Sequence, residues 1–383
     1  MRRVHFVLLF LVLVIGAQPL VAVTYYVTHQ PTLLCTNNKT GYSIFLTIQD
    51  AVTQVPAGST INVCPGTYAE QVIISQPLTL RGVSYGASSQ AVIAMPSTGL
   101  TTTSSASFGT VAPQVQVTAG PVKISNITVD GTAGSSNCPA GTYFGIFYSS
   151  GSSGTVSEVE ARNQNCSAAG IGFGAENGPG ATGSIIIENN TTNAANGAGI
   201  AAGSEGSLST LTVSIKGNYV TGSFNGIVTC CNVAGTVSDN VINAVAEGSG
   251  VFALSPSTAV SGNTIIGPVN GLGIYVDVDG VTVSDNTIHG AEWGVWVYGA
   301  ATVTSNHVFN SSAGGIYIDK TGATVKSNVI TGGPVGIGFN CFTGTVSGNT
   351  INGVTTGLDG VPASFTGVNT FYNLATNTTS GGC

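Results

Sequence analysis

Aromatic and acidic residues recur at matching intervals in the C-terminal half of this chain. They are Phe252, Tyr275, Asp277, Trp296, Tyr298, Tyr317 and Asp319. The polar members stand two residues after an aromatic one, and residues two apart on a strand point to the same side. Rings that cover the apolar faces of sugars, flanked by groups that bond hydroxyls, suit a carbohydrate-binding surface. We therefore take these seven residues as the candidate site.

The same rings allow three further interpretations. Aromatic side chains on a β-face also pair across neighbouring strands, or they pack beneath a long loop. An interface between copies of the chain would use them as well. The oligomeric state is not determined by the sequence.

The acidic residues also allow a catalytic alternative. If successive intervals stack about 4.8 Å apart, Asp277 and Asp319 lie two layers and roughly 10 Å apart. That separation is slightly beyond the roughly 6.5–9.5 Å of an inverting acid/base pair. Glu292, which stands close to His289 and Trp293, is a third weak candidate for acid/base catalysis.

No cofactor is expected from this sequence, with Ca²⁺ as a weak alternative. Asp277 and Asp319 are too far apart to share an ion whose ligands lie at about 2.4 Å. Asp277 and Asp279 would share one only if the stretch up to Gly280 bends. A solvated turn accounts for the same residues.

These residues lie within a repeat marked by asparagines numbered 20 to 23 apart. The asparagines are Asn218, Asn240, Asn263, Asn286, Asn306, Asn328 and Asn349. Three residues before each is Val or Ile, two before is a polar residue, and two after is again Val or Ile. A glycine followed by an aliphatic residue comes eight to ten residues later, as in Gly273-Ile274. Each repeat thus predicts at least two short strands and a turn.

A period of this length indicates stacked repeats. The leucine-rich frame is absent, propeller blades are longer, and Val, Thr and Gly oppose helices. What remains is an all-β solenoid, a parallel β-helix in which aliphatic columns point inward. We expect the asparagines to occupy tight bends in the left-handed conformation and to hydrogen-bond up their column. Glycines would mark the other bends.

A short helix is predicted at the N-terminal end of the solenoid. Thr47 is a plausible N-cap with Asp50 three residues later. Ile48, Ala51, Val52 and Val55 follow helical spacing, and Pro56 ends the helix. Such a helix would cover the open end of the stack, as solenoids require.

The stretch "TIQDAV…INVCPGTYAEQVIIS…LTLRG" and the C-terminal repeats resemble the right-handed parallel β-helix, or pectin-lyase-like, superfamily over residues 47–361. The resemblance implies a single-stranded right-handed β-helix built from generic β-helix repeats. It also implies a polysaccharide partner, because most members bind or process acidic polysaccharides. The catalytic motifs of its methylesterases and polygalacturonases do not occur in this chain. Beyond the N-terminal segment the only arginines are Arg81 and Arg162, which puts pectate-lyase chemistry in doubt.

The N-terminal sequence predicts export. Residues 1–22 have a basic start, an apolar run and small residues at the end, as in a secretory signal. An uncleaved anchor is the alternative, although the apolar run is short for a span of about 20 residues. Cleavage leaves 9 − 2 = 7 basic and 16 acidic residues, a net charge of −9. We expect no nucleic-acid partner, since no basic cluster exists, and no later membrane span.

Eight cysteines fit an exported protein, in which disulfides are the default. The pairings we expect are Cys35–Cys64, Cys138–Cys166 and Cys341–Cys383. Adjacent Cys230 and Cys231 remain, either bridged to each other or as thiols. Their spacing does not fit a zinc site.

The predicted organisation is a signal peptide at 1–22, an N-terminal segment at 23–46, a β-helix at 47–361 and a C-terminal cap or tail at 362–383. The predicted protein is secreted, extracellular or periplasmic, and binds a polysaccharide or cell-envelope glycan without cleaving it. One alternative is a polysaccharide lyase or glycoside hydrolase with a divergent carboxylate site. Another is a structural cell-surface protein.

Overall fold

The computed structural model describes residues 24–29, 35, 43–84, 90–132, 138, 140–165, 169–193, 195–206, 208–243, 247–267, 270–320, 322–340, 344–361 and 367–381. Within these ranges the chain has one helix, α1 (Ile48–Gln54), and is otherwise built from strands and turns. The predicted signal peptide, Cys166, Cys341 and Cys383 lie outside the described residues. In the part of the chain that the structure describes, no helix is long and apolar enough to cross a membrane.

The strands of the N-terminal half range from 2 to 9 residues in length. They are β1 (Thr24–Val27), β2 (Ile44–Phe45), β3 (Thr60–Val63), β4 (Gly66–Ala69), β5 (Val72–Ile74), β6 (Leu78–Gly82), β7 (Ala91–Ala94), β8 (Thr103–Ser105), β9 (Gly109–Val117), β10 (Val122–Ser125), β11 (Thr128–Asp130), β12 (Thr142–Tyr148), β13 (Gly154–Ser157), β14 (Glu160–Arg162), β15 (Gly170–Asn177), β16 (Thr182–Glu188), β17 (Thr191–Asn193) and β18 (Ala198–Ser204).

The strands of the C-terminal half follow the asparagine repeat. They are β19 (Thr210–Lys216), β20 (Tyr219–Thr221), β21 (Asn225–Cys231), β22 (Val233–Ser238), β23 (Val241–Asn243), β24 (Ser249–Leu254), β25 (Ser257–Ser261), β26 (Thr264–Ile266), β27 (Leu272–Val276), β28 (Thr282–Ser284), β29 (Thr287–His289), β30 (Trp293–Val297), β31 (Thr302–Thr304), β32 (His307–Phe309), β33 (Gly314–Ile318), β34 (Thr324–Lys326), β35 (Val329–Phe339), β36 (Thr345–Ser347), β37 (Thr350–Val361), β38 (Thr370–Tyr372) and β39 (Thr376–Ser380).

A typical repeat forms one coil with three strands, one more than the minimum that the sequence predicts. In the repeats of Asn328 and Asn349 the second and third strands run together, as β35 and β37. In one typical coil the three strands are β25, β26 and β27, which pair in parallel with β28, β29 and β30 of the next coil. We call the three stacks the first, second and third rows. The first row is a 14-stranded sheet, and the other two rows join in a 25-stranded sheet. The parallel β-helix predicted from the sequence is confirmed.

The aliphatic columns point inward and form one continuous core, as predicted. Val260 pairs in register with Val283 in the first row, and Ile265 pairs with Ile288 in the second. All four side chains are fully buried. Because a like residue lies above and below each of them, the same contacts repeat along the solenoid axis. The core cluster runs from Val27 to Leu358.

The repeat asparagines form the predicted hydrogen-bonded column. Asn286 Nδ2 donates to Asn306 Oδ1 at 2.9 Å and to the carbonyl oxygen of Val260 at 3.0 Å. Its own Oδ1 accepts from the backbone N and from Nδ2 of Asn263, both at 2.9 Å. Asn286 is completely buried, so this column supplies partners to polar groups that water does not reach.

The left-handed backbone conformation occurs one residue earlier in the chain than predicted. The residue before the asparagine has positive φ, for example Asp285 at 59° and Ser305 at 57°. The repeat asparagine itself does not have a positive φ. The chain must turn inward just before the asparagine for its amide to enter the column, so the preceding residue takes the left-handed conformation. Small and polar residues at that position tolerate it.

The glycines of the Gly-aliphatic pairs also differ from expectation. They lie buried inside third-row strands rather than in bends. A Cβ on Gly273 would lie 2.4 Å from the carbonyl oxygen of Gly294 and 2.6 Å from Cγ2 of Ile288. These positions are therefore glycine because neighbouring coils approach closely. The bends that end the second row use other glycines, such as Gly290 with φ of 70°.

Helix α1 covers the N-terminal end of the core, as predicted. The Thr47 side chain accepts a hydrogen bond from the backbone N of Asp50, and Ile48, Ala51 and Val52 are buried. Glu70 makes a further cap that the sequence analysis did not identify. Its two carboxylate oxygens accept from the backbone N of Ile48 and of Gln49, each at 2.8 Å.

Coil stacking continues beyond residue 361. Strands β38 and β39 both pair in parallel with β37. Asn369 extends the asparagine column, since its Oδ1 accepts from Asn349 Nδ2 at 2.8 Å. Some of the segment 362–383, assigned to a cap or tail from the sequence, thus forms a further coil.

Two disulfides have both cysteines among the described residues. Cys35–Cys64 ties the N-terminal segment to the first coils, as predicted. Cys230 and Cys231 are bonded to each other, which settles the alternative left open by the sequence. Cys138 is also disulfide-bonded. The expected partners Cys166, Cys341 and Cys383 lie outside the described residues.

Candidate functional site

The recurring aromatic residues occupy one outward column of the third row. Phe252 pairs in register with Tyr275, Tyr275 with Trp296, and Trp296 with Tyr317. All four side chains are half-buried, while the aliphatic residues on either side of them are buried. Strand alternation therefore places the rings on the outside of the solenoid. We call this column and the polar column beside it the third-row face.

The polar column lies at the ends of the same strands. The backbone N of Asp277, Tyr298 and Asp319 each donates to a carbonyl of the preceding coil. Asp277 and Tyr298 are exposed and Asp319 is half-buried. Asn340 follows in the next coil, and its Nδ2 donates to Asp319 Oδ1 at 2.6 Å. The structure therefore brings all seven sequence-derived candidates onto one face.

The rings contact one another across coils. Ring centroids of Phe252 and Tyr275 are 5.0 Å apart, and those of Trp296 and Tyr317 are 4.6 Å apart. The rings therefore pair across neighbouring strands, which is one of the alternatives that the sequence left open. This pairing is compatible with a binding surface because the outer faces of the rings remain partly exposed.

Trp293 is an additional member of this face. The sequence places it in a predicted bend, but it begins strand β30. Its ring centroid lies 4.9 Å from that of Tyr317 and 6.3 Å from that of Trp296. A Cβ on Gly314 would lie 2.2 Å from the Trp293 ring, and one on Gly338 would lie 3.0 Å from it. The glycines at positions 314 and 338 are the signal in the sequence for the position of Trp293. They become informative only when the stacking of the coils is known.

A loop covers the same outward column in the earlier coils. The column there consists of Phe147, Gly174 and Ala201. Phe108 packs against Phe147 with ring centroids 6.1 Å apart, and Ser105 and the backbone N of Ser107 donate to the Glu176 carboxylate. Packing beneath a loop thus describes the early coils, whereas the rings from Phe252 to Tyr317 are partly exposed among the described residues.

The acidic residues change the electrostatics of the tyrosines beside them. Burial raises the pKa of Tyr275, and the charge of Asp277 and a hydrogen bond to it raise that pKa further. Burial also raises the pKa of Tyr317, together with the charges of Asp319 and Asp359. Asp359 belongs to the ring column, where it pairs in register with Gly338.

Lys320 is the basic residue at this face. Its Nζ lies 5.5 Å from the centroid of the Tyr298 ring, a cation–π contact. Asp319, its neighbour in the chain, is not paired with it among the salt bridges of the described residues.

The weaker catalytic and metal candidates are not gathered into one centre. Asp277 and Asp319 are separated by the coil that carries Tyr298. Asp279 instead accepts a hydrogen bond from the backbone N of Ala300 at 2.7 Å. His289 is on the second row, where it stacks on Phe309 with centroids 4.8 Å apart. Glu292 is half-buried immediately before Trp293.

One group of three metal-binding side chains occurs among the described residues, formed by Glu205, Cys230 and Cys231. Because the two sulfurs are bonded to each other, they are not thiolate ligands. Asp277 and Asp279 belong to no such group in the described ranges.

Comparison with known proteins agrees with the fold. Residues 177–330 match the family described as "Right handed beta helix region". The chain is similar in structure to a GH136 lacto-N-biosidase from Eubacterium ramulus, with a TM-score of 0.62 and 11% identity over 93% of this chain and 68% of that one. No curated protein matches it in sequence.

Two further solved structures share the architecture. One is an exopolygalacturonase from Thermotoga maritima, with a TM-score of 0.51, 10% identity and 86% of each chain covered. The other is PfbA, a surface adhesin of Streptococcus pneumoniae, with a TM-score of 0.53 and 14% identity over 80% of this chain and 85% of that one. The chain therefore has the right-handed parallel β-helix fold, and the fold class inferred from its sequence is confirmed.

Proposed function

We propose that this protein binds a polysaccharide or cell-envelope glycan through the third-row face and does not cleave it. The observation that carries the proposal is the open column of Phe252, Tyr275, Trp296 and Tyr317 beside Asp277 and Asp319. Rings stacked at a regular spacing offer apolar surface to successive sugars, and the carboxylates accept hydrogen bonds from hydroxyls.

The comparisons support a glycan partner at the level of the fold. Proteins with this architecture include a lacto-N-biosidase, an exopolygalacturonase and a surface adhesin. The fold therefore accommodates both glycan-processing enzymes and adhesins. The absence of the superfamily's catalytic motifs from the sequence favours binding over cleavage for this chain.

We also propose that the protein acts outside the cytoplasm, at the cell envelope or beyond it. The Cys35–Cys64 disulfide supports this location, because such bonds persist in oxidising compartments. The signal-like sequence at 1–22 is consistent with export.

The proposal is tested by measuring the affinity of wild-type and Trp296→Ala protein for a panel of polysaccharides embedded in native gels. We expect at least one polymer to retard the wild type. Trp296→Ala should bind that polymer about tenfold more weakly, the scale typical of losing a central tryptophan from an interface.

Phe309→Ala is the matched control. Phe309 is also a half-buried aromatic residue on the outside of the solenoid, but it lies on the second row. This variant should keep wild-type affinity. If no polymer retards the protein, or if both variants lose affinity equally, the binding proposal is wrong and a structural surface role is favoured instead.

Cleavage by a divergent carboxylate site is the second candidate. It is favoured by the position of Asp277 and Asp319 in one column, two coils and about 10 Å apart. This spacing is slightly wider than the roughly 6.5–9.5 Å between the carboxyl groups of an inverting hydrolase. The discriminating measurement is release of reducing or unsaturated ends from the bound polymer. If the wild type releases such ends and the Asp277→Asn variant does not, cleavage replaces the non-catalytic proposal.

A further inference from the structure

We infer that the third-row face takes an uncharged polysaccharide whose chain lies along the solenoid axis, and that it discriminates against carboxylate-bearing polymers. This inference rests on the proposed function and names the class of ligand for that same site.

The face carries more negative than positive charge. Asp277, Asp319 and Asp359 lie in its two columns. Lys320 is the single basic residue described there, and it lies over the Tyr298 ring. The whole chain has a formal net charge of −7. An anionic polymer would thus meet fixed charges of its own sign.

The three carboxylates are not neutralised by basic partners. In the described part of the chain, the ion pairs join Arg162 to Asp130 and Glu160, and Lys216 to Asp239. The aspartates of the face are instead held by neutral donors. Asn340 donates to Asp319, and Thr379 donates to Asp359. Tyr275 hydrogen-bonds to Asp277. Neutral donors do not cancel the negative charge, and each carboxylate has lone pairs left for a ligand.

Carboxylates of this kind select for ligands that donate hydrogen bonds. An ionised carboxylate only accepts them, and sugar hydroxyls are suitable donors. A sugar carboxylate is also only an acceptor, so it would face Asp277 or Asp319 with no proton between them. Like charges about 4 Å apart in water oppose binding by roughly 1 kcal/mol, or about fivefold per contact.

The direction of the polymer follows from the column. The rings of Phe252, Tyr275, Trp296 and Tyr317 stand on four successive coils. At about 4.8 Å per coil, the column extends over roughly 14 Å along the axis. That length suits several linked sugars. The loop carrying Phe108 covers the earlier end of the column, so the sugar chain lies on the open coils that follow.

The test uses pairs of polymers that share a backbone and differ in charge. Suitable pairs are hydroxyethyl- and carboxymethyl-cellulose, and methyl-esterified and de-esterified galacturonan. In gels containing each polymer, we expect wild-type protein to bind the uncharged member of at least one pair. It should bind the anionic member roughly five- to 25-fold more weakly, the result expected for one or two like-charge contacts of this strength.

Variants that remove negative charge test whether the third-row face causes the preference for uncharged polymers. The double variant Asp277→Asn/Asp319→Asn should bind the anionic polymer of a pair more tightly than the wild type does. The difference in affinity between the two polymers of that pair should therefore become smaller. Asp285→Asn is the matched control, because Asp285 is exposed in the turn between the first and second rows. It removes one charge, and asparagine tolerates the same backbone conformation. This control should leave the discrimination unchanged.

The outcomes separate this inference from the function it rests on. Tighter binding of an anionic member that still depends on Trp296 overturns the inference and leaves glycan binding intact. Loss of that binding on chelation would show that a cation bridges the two sets of carboxylates. If no polymer of either charge binds in a Trp296-dependent way, both proposals fail together.

Discussion

Tyr275 shows how neighbouring coils act on a single side chain of the third-row face. Its ring packs against Phe252 of the preceding coil, and the carboxylate of Asp277, which follows its strand, acts on its hydroxyl. Burial, followed by the charge of Asp277, raises its pKa above that of a free tyrosine. Between the ordinary and the raised pKa the unfolded chain has lost a proton that the folded chain keeps. The stability that Tyr275 contributes is therefore lost as the pH rises through this interval.

We predict that Asp277→Asn lowers the pKa of Tyr275, because it removes the negative charge beside the phenolate. The measurement is the NMR titration of a ring-labelled tyrosine, assigned with Tyr275→Phe. Asp285→Asn, remote from the ring, should leave the titration unchanged. An equal shift in both variants would mean that net charge, and not contact with Asp277, sets this pKa.

At the scale of elements, the asparagine column joins successive coils from Asn190 to Asn369. Each buried asparagine gives hydrogen-bond partners to the coil on either side, as Asn263, Asn286 and Asn306 do. The column lies where the first row turns into the second. It keeps the two rows in register because its amides bond only when the coils are aligned.

We predict that Asn286→Ala destabilises the protein strongly. The change removes the acceptor of the backbone N–H and of Nδ2 of Asn263, and one donor to the carbonyl oxygen of Val260, in a dry interior. A loss of roughly 2–4 kcal/mol is expected, since each buried unpaired group costs about 1–3 kcal/mol. A lower urea midpoint would report it.

Asn270→Ala supplies the matched control, because Asn270 is an exposed asparagine in a turn of the same region. It should change the urea midpoint little. If the two variants unfold at the same urea concentration, the column is not a source of stability.

The whole molecule is a stack with one covered end. Helix α1 places Ile48, Ala51 and Val52 over the first coils, and Glu70 of those coils binds the start of the helix. A stack of parallel strands presents unpaired backbone groups and apolar side chains at its end, which promotes association with other chains. The helix prevents this at the N-terminal side.

We predict that Val52→Asp loosens the helix and makes the protein associate with itself in a concentration-dependent way. Val52 is 2% exposed, so a charge there is driven out of the core together with the helix. Thr53→Asp, on the exposed side of the same helix, should remain like the wild type. Sedimentation velocity distinguishes them. Identical sedimentation of the two variants would show that the helix does not protect the end.

The sequence was most informative where one residue has the same role in every coil. The asparagines, the Val and Ile columns and the Thr47 cap were all predicted because local spacing determines them. The positive φ at Asp285 was assigned one residue too late, since periodicity marks a position but not its backbone conformation. The role of Gly273 was also missed, because the atoms that exclude a Cβ belong to other coils.

The alignment of the candidate site's residues in columns was predictable from the sequence. The extent of the site along and beside those columns was not. Tyr275, Trp296 and Tyr317 align from spacing alone. Trp293 joined them only when its contacts with Tyr317 and the neighbouring coils were seen. The loop bearing Phe108 closes the earlier end of the column although it is distant in sequence. Neither feature leaves a repeated pattern that sequence reasoning could detect.

The sequence by itself determined the fold of this protein, because a strict repeat of inward aliphatic residues and buried asparagines has one stable arrangement, in which each coil rests on the last. Only the tertiary structure decided which region of the outer surface is open and how the charges are distributed over it. Those properties depend on contacts between residues that are remote in the chain and do not repeat.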